Sequence, residues 1–387
     1  MKKIILFFCF MFMGIFVPLN VFAVEDGTDL IMGAKSGILI EASTGKIIYE
    51  KNMNNKLAVA SMTKMVAQII IFDEIRRGNI SYDDIITVSL NASEMGGSQI
   101  YLSEGEKISV RDLIKGISMA SANDATVMMA EVIAGNESDF VKLMNKKVKD
   151  LGLSNTNFVN CVGFDEENHY SSAYDMAMIA RELVINYPEV LEFSSVYEDY
   201  LRQDTDDKFW LVNTNKLVRY YDGADGLKTG HTDMAKYCLA ATALRDDMRL
   251  IAVVLGEEES KTRNNEVMAL LDYGYNNIEI NLLKKRGEVI DNIKVDKSDI
   301  GNVDVVLQND LGIILDKGSK LGDYKYKVDI KDIVLPLKKG DVVGTIEVYD
   351  KDKVIASSNL IINKDISKIG YFKLLVDNFV NLVGGII

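Results

Sequence analysis

The stretch Ser61–Arg77, with the sequence SMTKMVAQIIIFDEIRR, decides how the chain around it must fold. Nearly every residue from Met65 to Phe72 is apolar, and Gly78 follows the charged end of the stretch. A helix that is apolar on all sides belongs inside a domain, and glycine commonly ends a helix. The pattern therefore predicts a buried helix over 61–77 with other elements packed around it.

The first turn of this helix carries Ser61 and Lys64, whose spacing places both side chains on one face. A serine there is either an N-cap for the free N–H groups or a nucleophile. A nucleophilic serine needs a base, and the sequence contains only two histidines. Lysine serves as a base only if burial or a second cation lowers its pKa from about 10.4. Position alone favours the cap.

Two further motifs, Ser121-Ala122-Asn123 and Lys228-Thr229-Gly230, change that balance. Lys228 could be the second cation near Lys64, and Ser121 could relay a proton from Lys64 to a leaving amine. A catalytic serine–lysine pair of this kind is a variant of the catalytic triad. The long separations between the motifs mean that only a fold could bring them together.

Each motif alone is weak, because the sequence also contains lookalikes. Ser43-Thr44-Gly45-Lys46 repeats the serine–lysine spacing, and Ser89-Leu90-Asn91 repeats the serine–asparagine spacing. The first lookalike lies between two alternating segments, Gly37–Glu41 and Ile47–Tyr49, where it predicts the turn of a β-hairpin.

The region 24–276 mixes helical and strand patterns. Ser109 and Asp112 form a capping box that opens a helix through Ile117, and a second helix is predicted over Asp124–Ala134. Two more strands, Cys238–Ala243 and Leu250–Leu255, flank the turn at 245–247.

The hydrophobic pattern of the sequence changes beyond residue 276. Short alternating segments separated by turns predict a small all-β domain over 280–362. Residues 366–387 form an amphipathic pattern, which fits a helix lying at a membrane surface or one docked on the β domain.

The N-terminus has the form of an export signal. Lys2 and Lys3 precede an apolar run, and Val21-Phe22-Ala23 is a small-residue cleavage site, so we expect 1–23 to be removed as a signal peptide. The alternative is a retained membrane anchor.

Composition excludes several classes of function. With 44 basic and 57 acidic residues the net charge is −13, which argues against nucleic acid as the main partner. Only His169 and His231 are available, so a histidine-rich zinc site is nearly excluded. Cys161 and Cys238 are expected to be buried thiols. No metal site is expected. Asp296, Asp299 and Asp304 resemble a calcium-binding loop only superficially, because the segment lacks the glycine and the closing glutamate of an EF-hand.

Together with their flanks, the motifs resemble those of penicillin-binding proteins and serine β-lactamases. The resemblance is closest to the low-molecular-mass D-alanyl-D-alanine carboxypeptidases and covers about residues 30–275. It is carried by 60–65 (ASMTKM), 121–125 (SANDA), 169–177 (HYSSAYDMA) and 225–232 (DGLKTGHT). A looser match extends to the β domain through 336–341 (PLKKGD).

The resemblance implies an α/β (α+β) transpeptidase-like catalytic domain, with an antiparallel sheet flanked by helices, over 24–276. It also implies removal of the terminal D-alanine from peptidoglycan stem peptides, without a cofactor, and acylation by β-lactams. The N-terminal signal and the terminal amphipathic segment also resemble those of the family, which implies that 366–387 anchors the protein to the outer face of the cytoplasmic membrane; the alternative is secretion.

The resemblance also implies roles for individual residues. Ser61 would be the nucleophile and Lys64 its base. Ser121 would shuttle the proton, while Asn123 would hold the substrate amide. The terminal carboxylate would be bound by Lys228 and Thr229 with Gly230, and by Arg249 on the neighbouring strand. The N–H groups of Ser61 and His231 would form the oxyanion hole.

Two departures from the family stand near these motifs. Val162 replaces a histidine that several relatives have, and Thr214 replaces an arginine that some relatives have before the third motif. Both departures bear on the hydrolytic rate and the substrate range, and neither involves the serine–lysine pair.

Three other functions are compatible with parts of the sequence pattern. A class A β-lactamase would use Glu182, in ELVIN, as its deacylating glutamate, but this lies at the end of a helical run. A catalytically silent wall-binding scaffold could keep the same fold, and an endopeptidase that cuts cross-links is a variant of the main hypothesis. His231 as a general base is disfavoured, because it follows a glycine on a predicted edge strand.

Overall fold

A computed structural model describes residues 29–203, 205–296 and 298–369. The predicted signal peptide at 1–23 and residues 370–387 of the predicted terminal helix lie outside these ranges. No helix within the described residues is both long enough and apolar enough to cross a membrane.

The helices and strands alternate irregularly up to α9, and the described residues after α9 form only strands and the turns between them. The helices are α1 Lys64–Arg76, α2 Leu90–Ser93, α3 Val110–Lys115, α4 Asn123–Ala134, α5 Glu137–Asp150, α6 Ala173–Asn186, α7 Leu191–Ser194, α8 Leu217–Tyr220 and α9 Ser260–Asn277. The first group of strands is β1 Ser36–Glu41, β2 Ile47–Lys51, β3 Ile85–Thr87, β4 Lys107–Ser109, β5 Glu198–Leu201, β6 Phe209–Val212, β7 Ala224–Thr232, β8 Lys236–Arg245 and β9 Met248–Glu257. The second group is β10 Ile278–Lys284, β11 Val289–Lys294, β12 Asn302–Leu307, β13 Leu311–Asp316, β14 Lys325–Ile330, β15 Val342–Asp350 and β16 Lys353–Ile362.

A five-stranded antiparallel sheet, in the order β2-β1-β9-β8-β7, organises the first region. Both predicted hairpins, β1–β2 and β8–β9, are present. Strand β7 lies at one edge of the sheet, so among the described residues one of its sides has no strand partner. That free edge is where an extended chain can add.

Helices cover both faces of this sheet. One core contains the apolar residues of α1 together with side chains from α4, α5 and α6, and the other lies beneath α9, around Leu270 and Leu271. An antiparallel sheet flanked by helices was the predicted fold class, and it is confirmed.

The helix predicted over 61–77 divides into two parts. A 3₁₀ turn spans Ala60–Thr63, and α1 continues from Lys64 to Arg76. Neither part has a side-chain N-cap bond, so the interpretation of Ser61 as an N-cap is wrong. The Ser109 cap is confirmed, since its hydroxyl accepts the Asp112 N–H at 3.1 Å.

The C-terminal strands form a separate all-β core. Five strands pair in the order β11-β12-β16-β15-β14, and β10 pairs with β13. Their inward side chains pack together, among them Val305, Ile346 and Leu360. The all-β character is confirmed, with β10 beginning at Ile278 directly after α9.

Candidate active site

Ser61 is held on the 3₁₀ turn between two glycines that let other segments approach closely. A side chain at Gly163 would overlap the Ala60 carbonyl, and a Cβ at Gly230 would lie 2.6 Å from the Val59 carbonyl oxygen. Ala60 itself has a left-handed backbone with φ 47°. Such strain in a non-glycine residue persists only where the surroundings enforce it. The turn is therefore fixed from both sides, by the loop at 160–163 and by β7.

Lys64 is fully buried beneath this turn. Its Nζ lies 2.9 Å from Ser61 Oγ, 2.7 Å from Asn123 Oδ1 and 2.7 Å from the Val162 carbonyl oxygen. Burial lowers the pKa of Lys64 to about 7. A large fraction of Lys64 is therefore neutral near pH 7, with its amine in hydrogen-bond contact with the serine hydroxyl. This arrangement is what a serine–lysine nucleophile requires.

The second motif begins where α3 ends. A π-helical turn over Gly116–Ala120 gives way to Ser121, whose φ of 62° is left-handed, and α4 then starts at Asn123. The Ser121 hydroxyl is buried and has no hydrogen-bond partner among the described residues. Buried polar groups are usually satisfied, so the unpartnered hydroxyl is available to a bound molecule.

The amide of Asn123 is held from two directions. Its Oδ1 accepts from Lys64, and its Nδ2 donates to the Gly96 carbonyl at 2.8 Å. Its backbone N–H donates to the Ser98 carbonyl at 2.7 Å. The loop around 96–98 is thereby attached to the second motif.

Lys228 lies on β7 and is 1% exposed. Its Nζ donates to the Thr229 carbonyl at 3.0 Å. Burial lowers the pKa of Lys228 well below its usual value, and the positive charges of Lys64 and Arg263 lower it further. The third motif therefore joins the first two. For Lys64, burial is the main cause of the lowered pKa.

The two residues after Lys228 shape the edge of the site. Thr229 Oγ1 donates to Thr214 Oγ1 at 2.8 Å, so the threonine that replaces an arginine of some relatives is tied to the third motif. Gly230 allows β7 to pass beside the 3₁₀ turn. The next side chain, His231, is exposed and stacks on Tyr237, with 4.1 Å between ring centroids.

His169 is buried under the first motif in a structural position. Its Nε2 lies 2.8 Å from Thr63 Oγ1, and its Nδ1 accepts the Val159 N–H at 3.2 Å. Burial lowers its pKa to about 4, so the ring is neutral and Nε2–H is the donor to Thr63. His169 thus supports the turn next to Ser61, and its acceptor nitrogen is already occupied.

Arg249 does not lie where it was predicted to bind a carboxylate. It pairs with Leu244, whereas Lys228 pairs with Ala240, four residues farther along the sheet, a distance of about 13 Å. Its guanidinium forms an ion pair with Asp225 at 2.8 Å. The assignment was wrong because sequence separation alone cannot show which end of a strand faces the site.

Sequence reasoning missed Arg263, which is the arginine that the fold brings near Lys228. It lies on α9, is 5% exposed, and donates from Nη1 to the Cys238 carbonyl at 3.2 Å. Cys238 pairs with Gly230 of the third motif. The missing signal was three-dimensional, because nothing in the sequence around Arg263 resembles a motif.

The loop at 160–163 also contributes more than the sequence indicated. The Val162 side chain is 2% exposed and packs inward, so the residue reaches the site through its carbonyl. Asn160 Oδ1 accepts the N–H groups of Gly163 at 2.7 Å and Phe164 at 3.1 Å. The loop conformation that presents this carbonyl to Lys64 thus depends on Asn160.

Other candidates from the sequence serve local structure. Glu182 accepts a hydrogen bond from Asn186 on its own helix. Cys161 and Cys238 are free and buried, as predicted. Over the described residues, no cluster of three or more His, Cys, Asp or Glu side chains could hold a metal ion. The aspartates of the calcium-like segment bond to neighbouring side chains or backbone: Asp296 to Lys294, Asp299 to Ser367 and Asp304 to Asn292.

Comparison with known proteins covers nearly the whole chain. The sequence model of the D-alanyl-D-alanine carboxypeptidase family matches residues 24–259, and that of the penicillin-binding protein 5 C-terminal domain matches 279–368. The chain is 44% identical to the D-alanyl-D-alanine carboxypeptidase DacF of Bacillus subtilis over 364 residues, 93% of each protein. It is 32% identical to DacD of Escherichia coli over 357 residues, 89% of this chain and 90% of that protein.

Solved structures of penicillin-binding proteins are also similar to this chain. Penicillin-binding protein 5 from Haemophilus influenzae has a TM-score of 0.70 at 33% identity, covering 87% of this chain and 98% of the other. Penicillin-binding protein D2 from Listeria monocytogenes, in its ampicillin-bound form, has a TM-score of 0.57 at 30% identity, covering 62% of this chain and 97% of the other.

Proposed function

The chain belongs to the D-alanyl-D-alanine carboxypeptidase family, and from that premise we propose how its own residues carry out the reaction. The family uses a serine acyl-enzyme and includes penicillin-binding proteins, so the protein is a serine-type D-alanyl-D-alanine carboxypeptidase. The observation that carries the assignment of residues is the contact of 2.9 Å between Lys64 Nζ and Ser61 Oγ.

In the acylation step, Ser61 Oγ attacks the carbonyl between the two terminal D-alanines, and neutral Lys64 accepts the hydroxyl proton. The tetrahedral intermediate then expels D-alanine, whose amine receives a proton through Ser121. The buried Ser121 hydroxyl, unpartnered among the described residues, is suited to this relay. Water hydrolyses the resulting ester by the reverse proton path and regenerates Ser61.

The negative charge that develops on the carbonyl oxygen needs donors. We assign these to the N–H groups of Ser61 and His231, and one such donor contributes about 3 kcal/mol to transition-state stabilisation. Because β7 has a free edge in its sheet, the stem peptide would add to it as an extended strand. Asn123 would then hold a substrate amide, and Gly230 keeps the edge close to Ser61.

The terminal carboxylate would bind near Lys228 and Thr229, with Arg263 in place of Arg249. Lys228 is buried beside other positive charges, which is why its pKa is low in the free protein. A bound carboxylate would supply the missing counter-charge and raise that pKa again. Recognition of the C-terminus is thereby coupled to the protonation of Lys228.

We further propose that the protein is exported and held at the outer face of the cytoplasmic membrane. The basic N-terminus with its apolar run and small-residue site supports cleavage after Ala23. The amphipathic pattern of 366–387 supports anchoring at the interface. In this proposal, the catalytic domain spans 24–276 and the all-β domain spans 280–362.

The test compares the wild type with Ser61→Ala and with the matched lookalike variant Ser43→Ala. We expect D-alanine release from diacetyl-lysyl-D-alanyl-D-alanine by the wild type and Ser43→Ala, and none by Ser61→Ala. Fluorescent penicillin should label the same two proteins. Release that survives Ser61→Ala would overturn the nucleophile. Labelling of the wild type without any release would favour an endopeptidase, and a wild type that neither labels nor releases would favour a silent scaffold.

A further inference from the structure

A second concave site lies outside the residues assigned to the reaction. It is a pocket of about 650 Å³ between the segment 101–107 and the tip of the β5–β6 hairpin. Ligand pockets commonly have volumes of about 300–1,000 Å³. Its lining includes two aromatic side chains, Tyr101 and Phe209, and the pair Arg202 and Glu106.

The wall of this pocket is held in a specific shape. Arg202 binds the Glu106 carboxylate through two bonds, at 2.6 and 3.0 Å, and donates to the Ile100 carbonyl at 3.0 Å. Both Arg202 and Tyr101 have left-handed backbones, with φ of 53° and 56°. Bulky residues rarely adopt this conformation, and such strain concentrates at ligand-binding sites.

The lining has the chemistry of a sugar site. The Tyr101 ring is 68% exposed, and its edge-to-face contact with Phe209, at 5.6 Å between centroids, fixes its orientation. Basic and acidic side chains are equal in number around it: Lys107, Arg202 and Lys208 against Glu104, Glu106 and Asp207. Balanced charge disfavours a strongly charged ligand. An aromatic face ringed by donors and acceptors instead matches a neutral, hydroxyl-rich ring.

The pocket lies within reach of the proposed substrate. Asn123 donates its N–H to the Ser98 carbonyl, and Tyr101 is three residues farther along the same segment, at most about 11 Å away. The four stem residues before the scissile bond span at most about 14 Å when extended. An extended stem peptide is therefore long enough for the sugar that carries it to reach this pocket.

We propose that the pocket binds the N-acylated amino sugar of the glycan strand, with one face of the sugar on Tyr101. The inference rests on the proposed function, because it takes the stem peptide as the substrate at Ser61. It assigns a specificity role to residues that take no part in the chemical step. The enzyme would thereby prefer stem peptides that are still attached to the glycan.

The test measures kcat/KM on two substrates with the same peptide end: diacetyl-lysyl-D-alanyl-D-alanine and a disaccharide pentapeptide. The wild type should prefer the disaccharide substrate. Tyr101→Ala should lower kcat/KM about five- to tenfold on that substrate, since one ring contact is lost. It should change kcat/KM on the tripeptide by less than twofold. Tyr220→Ala, which removes an equally exposed ring elsewhere, should change neither value.

A direct binding measurement separates the pocket from the reaction. The peptide-free disaccharide, titrated by calorimetry, should bind the wild type and Tyr220→Ala saturably and bind Tyr101→Ala at least fivefold more weakly. Equal losses on both substrates would show that Tyr101 acts through the Asn123 loop and would overturn the proposal. So would equal kcat/KM for the two substrates in the wild type, although the carboxypeptidase assignment would stand. No D-alanine release from either substrate would instead contradict the carboxypeptidase assignment, and disaccharide binding would still decide the pocket.

Discussion

Serine and lysine occur at the same spacing in two segments of this chain, 43–46 and 61–64. In the first, Ser43 donates to the Glu41 carboxylate at 3.0 Å and its backbone N–H does the same at 2.8 Å, so the serine serves a hairpin turn. In the second, Ser61 Oγ faces the amine of Lys64 at 2.9 Å. The spacing is identical, and the partner of the serine differs.

A lowered lysine pKa does not distinguish the two segments. Burial lowers the pKa of Lys46 to about 8, with Lys353 adding to the effect, and burial lowers that of Lys64 to about 7. What distinguishes Lys64 is that its amine contacts a serine, an asparagine and a backbone carbonyl at once. A perturbed pKa therefore marks a functional site only together with geometry.

The serine–asparagine lookalike at 89–91 likewise differs from the second motif in the partners of its side chains. Ser89 caps α2 by accepting the Ala92 N–H at 3.0 Å, and Asn91 donates to Glu131 on the surface. By contrast, the Ser121 hydroxyl lacks a partner among the described residues, and Asn123 contacts Lys64. A serine whose hydrogen bonds are already made by its own turn is structural.

The largest expected effect comes from removing the amine of Lys64, with removal of the Lys46 amine as the matched comparison. Lys64→Met, of similar volume, should lower kcat/KM for D-alanine release by about 10⁴-fold, because Ser61 loses its base. Lys46→Met should leave kcat/KM within twofold. Comparable losses in both variants would erase the distinction between the segments.

A smaller loss is expected from the glycines. In Gly230→Ala the new Cβ would lie 2.6 Å from the Val59 carbonyl oxygen, so β7 must move away from the Ser61 turn. A displacement of about 1 Å in a catalytic group costs about 10²-fold in rate. Gly45→Ala, in the lookalike turn with φ 74°, should cost about 1 kcal/mol of stability and no activity. Penicillin acylation rates and thermal denaturation of both variants measure the difference.

The smallest of these effects tests the loop that contacts Lys64. Asn160→Ala removes the acceptor for two backbone N–H groups, so the Val162 carbonyl should drift and kcat/KM should fall about tenfold. Val162→Ala keeps that carbonyl and should stay within threefold in kcat/KM. If the Val162 variant loses more activity than the Asn160 variant, the side chain and not the carbonyl is what the site uses.

Much of this arrangement could be predicted from local patterns. The apolar run at 65–72 indicated the buried helix, and alternation of apolar and polar residues indicated strands in both five-stranded sheets. Features that depend on long-range packing could not be predicted. Arg249 and Arg263 are separated by nearly the whole of β9 and the first turn of α9. The strand register places Arg249 four positions from Lys228, and the bond from Arg263 to the Cys238 carbonyl places Arg263 beside the third motif. The Val162 carbonyl was missed because backbone groups leave no trace in a sequence.

The most direct test of the serine–lysine pair is the pH dependence of Ser61 acylation by benzylpenicillin, measured from pH 5 to 9.5. The base must be neutral to accept the proton, and burial places the pKa of Lys64 at about 7. The second-order rate constant should therefore rise through pH 7 and level off above pH 8. The same rise should be absent in Lys64→Met, which should be nearly inert throughout. A wild-type rate that is flat over this range, or that still climbs toward pH 10, would contradict a neutral Lys64 as the base.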